Sequence, residues 1–263
     1  MRIAAIQMNS GSIIPENLTV ASKHIADAAR NGADLVVLPE NFSLMARNHS
    51  ERLGAAKLEA DVRTFMSKMA RQHQIVLVGG SVPLLAGENK VTNTCLVYDR
   101  YGVDVGRYDK IHLFDVKLPN GETYYESKYI AAGAKPVIVD ILSTCIGVTI
   151  CYDIRFPELY RDLTRRGAEI LTIPSAFAVS TGDAHWEALL RARAIENLCW
   201  VVAAAQTGTH PGRQTWGHST IISPWGEILA DKEEELGFII VEVELQELRD
   251  LRARFPSLDH RRL

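Results

Sequence analysis

Short runs rich in Val, Ile and Leu recur along this chain, and stretches with helical periodicity separate several of them. The runs are Arg2–Met8, Asp34–Leu38, Gln74–Val82, Asn93–Tyr98, Pro136–Ile141, Cys145–Ile150, Ala168–Ile173, Trp200–Ala205, Ser219–Ser223 and Phe238–Val243. Their length and β-branched content suit buried strands. In the first helical stretch Leu18, Ala21, Ile25, Ala28 and Ala29 share one face, and Asn31-Gly32 supplies a stop. Further helices are expected over Leu58–His73, from Phe156-Pro157 to Gly167, over His185–Asn197 and over Leu245–Arg254. Strands alternating with amphipathic helices restrict the chain to an α/β architecture.

At 263 residues the chain can bury a sizeable core, and nothing Pro-, Gly- or Ser-rich divides it, so one domain over 1–263 is expected. The acidic run Asp231–Glu235 reads as a solvated loop between two strands. A faint internal echo links LVVLPEN with ILTIPSA, each a strand ending in Pro after a helix ending in Gly. Two α/β halves packed sheet to sheet would produce it. The net charge of −3 comes without a basic stripe, which argues against nucleic acid and for a small-molecule substrate. The N-terminus lacks the pattern of a signal peptide, and no apolar run would span a bilayer, so no membrane partner is expected. Cys95, Cys145, Cys151 and Cys199 form no CxxC pair, so no metal site is expected, and four unpaired thiols suit the cytoplasm.

Three segments place a reactive side chain at or just beyond the end of an apolar strand, where open α/β sheets hold their ligands. In LVVLPEN, Glu40 follows four aliphatic residues and a proline. Apolar surroundings are expected to raise its pKa, which suits a general base. Alone, Glu40 reads better as a solvated loop glutamate. In YDKIHLF, Lys110 could stabilise an oxyanion or keep a neighbouring thiol ionised, although most lysines are surface groups. His112 beside it reads as structural. In GVTICYDIRFPE a strand runs into Cys151, a short turn follows and Pro157 opens a helix. Such a turn exposes a nucleophile and leaves backbone N–H groups free to face an oxyanion. A core cysteine is the competing reading.

LPEN, YDKIHLF and CYDIRFPE, in that order, resemble the Glu–Lys–Cys triad of the nitrilase superfamily. The resemblance runs from IAAIQM to HRRL. The stretches CYDIRFPELYRDLTRRGAEILTIPSAF and GHSTIISPWGEILA are similar to the branch holding omega-amidases and deaminated glutathione amidases. It implies a four-layer α-β-β-α sandwich that associates as a homodimer or higher homo-oligomer through the helices flanking the nucleophile and the C-terminal tail. It places a second glutamate at Glu126. The activity it implies is hydrolysis of an amide on a small carboxylate-bearing substrate, deaminated glutathione or an omega-amide of a 2-oxo acid, releasing ammonia without any cofactor. Cys151 would attack the carbonyl, Glu40 would move the proton, and Lys110 with the Tyr152 N–H would hold the oxyanion. Glu126 would position substrate or water. Arg155, four residues beyond Cys151, could clamp the substrate carboxylate, with a salt bridge to Glu158 as the alternative. Phe177 and Thr181 could line the same site. A nitrilase or an N-carbamoyl hydrolase would share the triad. A redox role would need a resolving thiol, and Cys145, six strand positions away, is beyond disulfide reach.

Overall fold

The computed structural model describes residues 1–210 and 212–262. Its strands are β1 (Arg2–Gln7), β2 (Leu35–Val37), β3 (Val76–Val78), β4 (Val82–Leu85), β5 (Val91–Tyr98), β6 (Asp104–Asp109), β7 (Asp115–Lys117), β8 (Thr123–Tyr125) and β9 (Val137–Ile141). They continue as β10 (Thr144–Val148), β11 (Ile170–Thr172), β12 (Trp200–Ala203), β13 (Thr207–His210), β14 (Arg213–Trp216), β15 (Thr220–Ile222), β16 (Ile228–Asp231) and β17 (Gly237–Glu242). The α-helices are α1 (Ile14–Arg30), α2 (His49–Ala56), α3 (Glu59–His73), α4 (Pro157–Arg165), α5 (Val179–Asn197) and α6 (Leu245–Arg254).

One sheet has the order β17-β1-β2-β3-β5-β4, with β6 also paired to β5; the other has the order β16-β15-β12-β11-β10-β9. Three parallel strands lie at the heart of each: β1, β2 and β3 in one, β10, β11 and β12 in the other. The echo in the sequence therefore has a structural counterpart, because β2 and β11 are the middle strands of these two triplets.

Strand alternation builds the layers. Ile3, Ala5, Leu35, Val37, Val76 and Val78 enter the core shared with Ile146, Val148 and Ile170 of the second sheet. Their neighbours Ala4, Ile6, Val36, Leu38 and Leu77 face the other way, onto Ala21, Ile25 and Ala28 of α1 and Met66 and Met69 of α3. On the far side Leu159 and Leu163 of α4 and Trp186 and Leu190 of α5 cover the second sheet. The result is the expected four-layer α-β-β-α sandwich in one α/β domain, with each strand of the central triplets buried on both faces.

The run expected as one strand over Gln74–Val82 is instead two, β3 and β4, with β5 between them in the sheet. The break falls at Gly79-Gly80. Gly80 has φ +55°, and a Cβ there would sit 2.1 Å from the Pro39 carbonyl oxygen. The chain turns on the back of the loop that carries Glu40, and the Ser81 hydroxyl accepts from Asn41 N–H at 2.9 Å. Helix α5 starts at Val179, earlier than the expected His185, and α2 had no counterpart in the apolar pattern. The acidic run does connect two strands, and the Glu233 and Glu235 carbonyls accept from the Gln7 amide.

Candidate active site

β2, β6 and β10 each end near one cavity of about 230 Å³, which Glu40, Lys110, Cys151, Glu126, Tyr152, Phe177 and Thr181 all help to line. The strand-end placement anticipated from sequence thus gathers residues that are more than a hundred positions apart.

Lys110 is buried between two carboxylates. Its Nζ lies 3.0 Å from Glu40 Oε1 and 3.0 Å from Glu126 Oε2. Asn93 Nδ2 donates to Glu40 Oε1 at 2.8 Å, and Ala176 N–H donates to Glu40 Oε2 at 2.9 Å. Phe114 N–H donates to Glu126 Oε2 at 2.6 Å. Burial alone would raise the Glu40 pKa, but the charge and hydrogen bond of Lys110 override it, and the carboxyl is held below its ordinary value. The sequence expectation of a raised Glu40 pKa is therefore corrected: it assumed apolar surroundings and could not include the lysine. Burial would likewise lower Lys110, and the charges of Glu126 and Glu40 push it up instead.

Cys151 follows β10 in the left-handed region, φ +49°, which an L-residue adopts only when its surroundings enforce it. Its N–H is committed to the Pro174 carbonyl at 2.8 Å. The Tyr152 N–H, next in the turn, has no acceptor among the described residues. Burial first, and the Glu40 charge second, push the Cys151 thiol up, against the opposing charge of Lys110. The resting pair is thus a neutral thiol facing an ionised glutamate. That corrects the idea that Lys110 keeps the thiol ionised. It leaves Glu40 ionised and able to accept a proton, which a general base requires.

The turn is tied to the lysine segment through Asp153, whose side chain is fully buried. Asp153 Oδ2 accepts from Tyr108 Oη at 2.7 Å and from Ile150 N–H at 2.9 Å. Its Oδ1 accepts from His112 N–H at 3.1 Å and lies 2.7 Å from His112 Nδ1. The His112 ring stacks on Phe156 with centroids 3.6 Å apart. His112 is not among the cavity-lining residues, and Asp153 and Phe156 fix its ring.

A family model described as carbon-nitrogen hydrolase matches residues 2–253. The chain belongs to the carbon–nitrogen hydrolase family. A deaminated glutathione amidase of Synechocystis sp. is 46% identical over 98% of this chain and 97% of its own. The human omega-amidase NIT2 is 36% identical over 99% of this chain and 95% of its own. The crystal structure of the C. elegans NitFhit protein superposes with a TM-score of 0.91 at 39% identity, covering 99% of this chain and 65% of that one. A carbon–nitrogen hydrolase acts on C–N bonds other than peptide bonds, and the buried Glu–Lys–Cys constellation brings together a carboxylate, a cation and a thiol, groups suited to that chemistry.

Two features of this hydrolase's site differ from expectation. Arg155 is not among the cavity-lining residues. It makes no ion pair with Glu158 among the described residues; its guanidinium lies 3.3 Å from His185 Nδ1 and over the rings of Phe177 and Tyr152, at 5.3 and 5.8 Å. It backs two walls of the cavity. The sequence reading also missed Asn93, Arg52 and Arg213. Asn93 sits inside a strand read only for its apolar residues, and the two arginines lie on α2 and β14, neither of which was anticipated.

Proposed function

We propose that this hydrolase is an amidase that cleaves the amide of a small carboxylate-bearing substrate through a thioester on Cys151, with deaminated glutathione and omega-amides of 2-oxo acids as the leading substrates. The observation that carries the proposal is Lys110 held at 3.0 Å from both Glu40 and Glu126 beside a buried Cys151. Glu40 takes the thiol proton as sulfur attacks the carbonyl carbon. The oxyanion that forms is met by Lys110 Nζ and the uncommitted Tyr152 N–H. Glu40 then returns the proton to the departing nitrogen. A primary amide releases ammonia, whereas deaminated glutathione, a substituted amide, releases an amine. Glu40 next takes a proton from water, which opens the thioester to the acid and restores the thiol. Glu126 holds Lys110 in place through both reactions.

The relatives' names support the amide over nitrile or carbamoyl substrates. The test is a panel of deaminated glutathione, 2-oxo-acid amides, glutamine, asparagine, a nitrile and an N-carbamoyl compound, followed by product release. Turnover of the nitrile or carbamoyl compound in preference to every amide would overturn the reading.

We also propose a homodimer or higher homo-oligomer. Trp225 and Phe255 are both exposed, with ring centroids 5.9 Å apart, and Gly226 lies against Ile195 of α5, so one apolar face joins α5 to the C-terminal segment. Sedimentation of the wild type beside Trp225→Glu tests this. No described helix is long and apolar enough to cross a membrane. A cytoplasmic location is part of the proposal, supported by four unpaired thiols.

A further inference from the structure

Arg52 and Arg213 both face the cavity that holds the triad. Neither forms an ion pair among the described residues. Glu51, the nearest carboxylate in sequence to Arg52, is taken by Arg47 at 2.7 Å. Among the described residues the Arg213 guanidinium makes a single hydrogen bond, to the Met45 sulfur. The two half-buried cations repel one another, and the charge of Glu126, which Lys110 already holds, offsets that only in part. Burial, and after it the charge of Arg213, lower the Arg52 pKa, yet a guanidinium stays charged at any working pH. The cavity therefore holds three cations, Lys110, Arg52 and Arg213, against two carboxylates, Glu40 and Glu126. Moving a proton from Cys151 to Glu40 leaves this balance unchanged. One negative charge is missing, and Lys110 already has both glutamates.

We propose that Arg52 and Arg213 form a carboxylate-binding subsite that restricts the enzyme to amides carrying a carboxylate remote from the scissile bond. The proposal rests on the amidase reading for its substrate and on the geometry for its location. Guanidinium forks match a carboxylate bidentately. Placing the anion here supplies the missing charge and relieves the repulsion between the arginines. Arg155, behind Phe177 and Tyr152, is then a positioning residue for those walls.

The test compares glutaramate with pentanamide, a neutral amide of similar length. The wild type is expected to favour glutaramate in kcat/KM. Arg52→Gln and Arg213→Gln should each reduce kcat/KM on glutaramate by roughly 30-fold or more, the scale of an unpaired partner in a desolvated charge pair, and leave pentanamide within about two-fold. Equal losses on both substrates, or a preference that survives both substitutions, would overturn the subsite. So would loss of the preference in Arg155→Lys alone. A second readout does not depend on amide turnover. Glutarate should slow alkylation of Cys151 by iodoacetamide in the wild type and protect far less in Arg213→Lys and Arg52→Gln. Undiminished protection in the variants refutes the subsite. A wild type that hydrolyses no amide, yet is protected by glutarate only when both arginines are present, refutes the amidase reading and leaves the subsite standing.

Discussion

Asp153→Ala removes one carboxylate and strands four donors: Tyr108 Oη, Ile150 N–H, His112 N–H and His112 Nδ1. The Tyr108 hydroxyl and the Ile150 amide belong to fully buried residues, so water cannot replace the lost acceptor for those two. A stranded buried donor costs about 1–3 kcal/mol, and hydrogen bonds to an ionised acceptor stand at the upper end. Two such donors, with a smaller share from the partly exposed His112, give a loss of about 3–5 kcal/mol. In a domain of this size that lowers Tm by roughly 6–15 °C. Asp153→Asn is the gentler probe. Its amide keeps one oxygen but turns an NH₂ towards two donors, so about 1.5–3 kcal/mol is expected.

The functional consequence follows from what Asp153 joins. Ile150 precedes the nucleophile, while Tyr108 and His112 flank Lys110. Loosening this tie separates Cys151 from the cation meant to meet its oxyanion, which should lower kcat more than it raises KM. Urea melts give the stability change, and steady-state kinetics on a good amide give the split. The refuting result is an Asp153→Asn protein within about 0.5 kcal/mol of wild type and with full kcat, since surface substitutions already vary by that much.

Three further outcomes are expected. Cys151→Ala should abolish turnover while the fold persists, and mass spectrometry of the alkylated wild type should place the adduct on Cys151, which lines the cavity, rather than on the core thiols Cys95 and Cys199 or on the partly exposed Cys145 outside it. Glu40→Gln should stop acylation, whereas Glu126→Gln, which keeps one acceptor for Lys110, should still acylate slowly; equal thioester accumulation in single-turnover trapping would contradict that division. The pH profile of kcat/KM should fall on the acid side only below the ordinary glutamate value of about 4.3, because Lys110 depresses Glu40, and on the alkaline side only above the ordinary thiol value of about 8.5, because burial raises Cys151. The stability from the Glu40 charge has the same sign: present above about pH 4.3, it is lost as pH falls through the depressed folded value. An acid limb near pH 6–7 would show that Glu40 is not the base.

The parts legible in the sequence are those that local pattern determines. β1, β2, β10 and β11 are buried on both faces, so they read as unbroken apolar runs. α1 shows its stripe through Ala21, Ile25 and Ala28. α2 buries only Ala55 and Ala56 and carries no comparable stripe, and β14, Arg-Gln-Thr-Trp, has a single buried position. These two elements bring Arg52 and Arg213 to the cavity. Glu40 and Cys151 were legible for another reason: each follows an apolar strand whose end is marked in the sequence, whereas Lys110 follows β6, Asp-Val-Gly-Arg-Tyr-Asp, which has no apolar run and stood out only through the resemblance. The residues that reach the site from weakly patterned elements left no such mark.

The reversed expectation for Glu40 shows why electrostatics escapes a local reading. Glu40 and Lys110 are 70 positions apart, and Ala176 N–H comes from 136 positions away. From the sequence around Glu40 only burial was visible, and burial taken alone raises a carboxyl. The same arrangement explains the second glutamate. With Glu40 as its sole partner, Lys110 would lose that partner's charge when Glu40 took the thiol proton. Glu126 holds Lys110 by both of its oxygens, at 3.1 and 3.0 Å, independently of that transfer. In the proposed mechanism the lysine thus keeps its place while negative charge passes from Glu40 to sulfur and then to the carbonyl oxygen. A cation fixed in advance at the point where charge develops needs no reorganisation during the reaction, which is the main source of electrostatic catalysis.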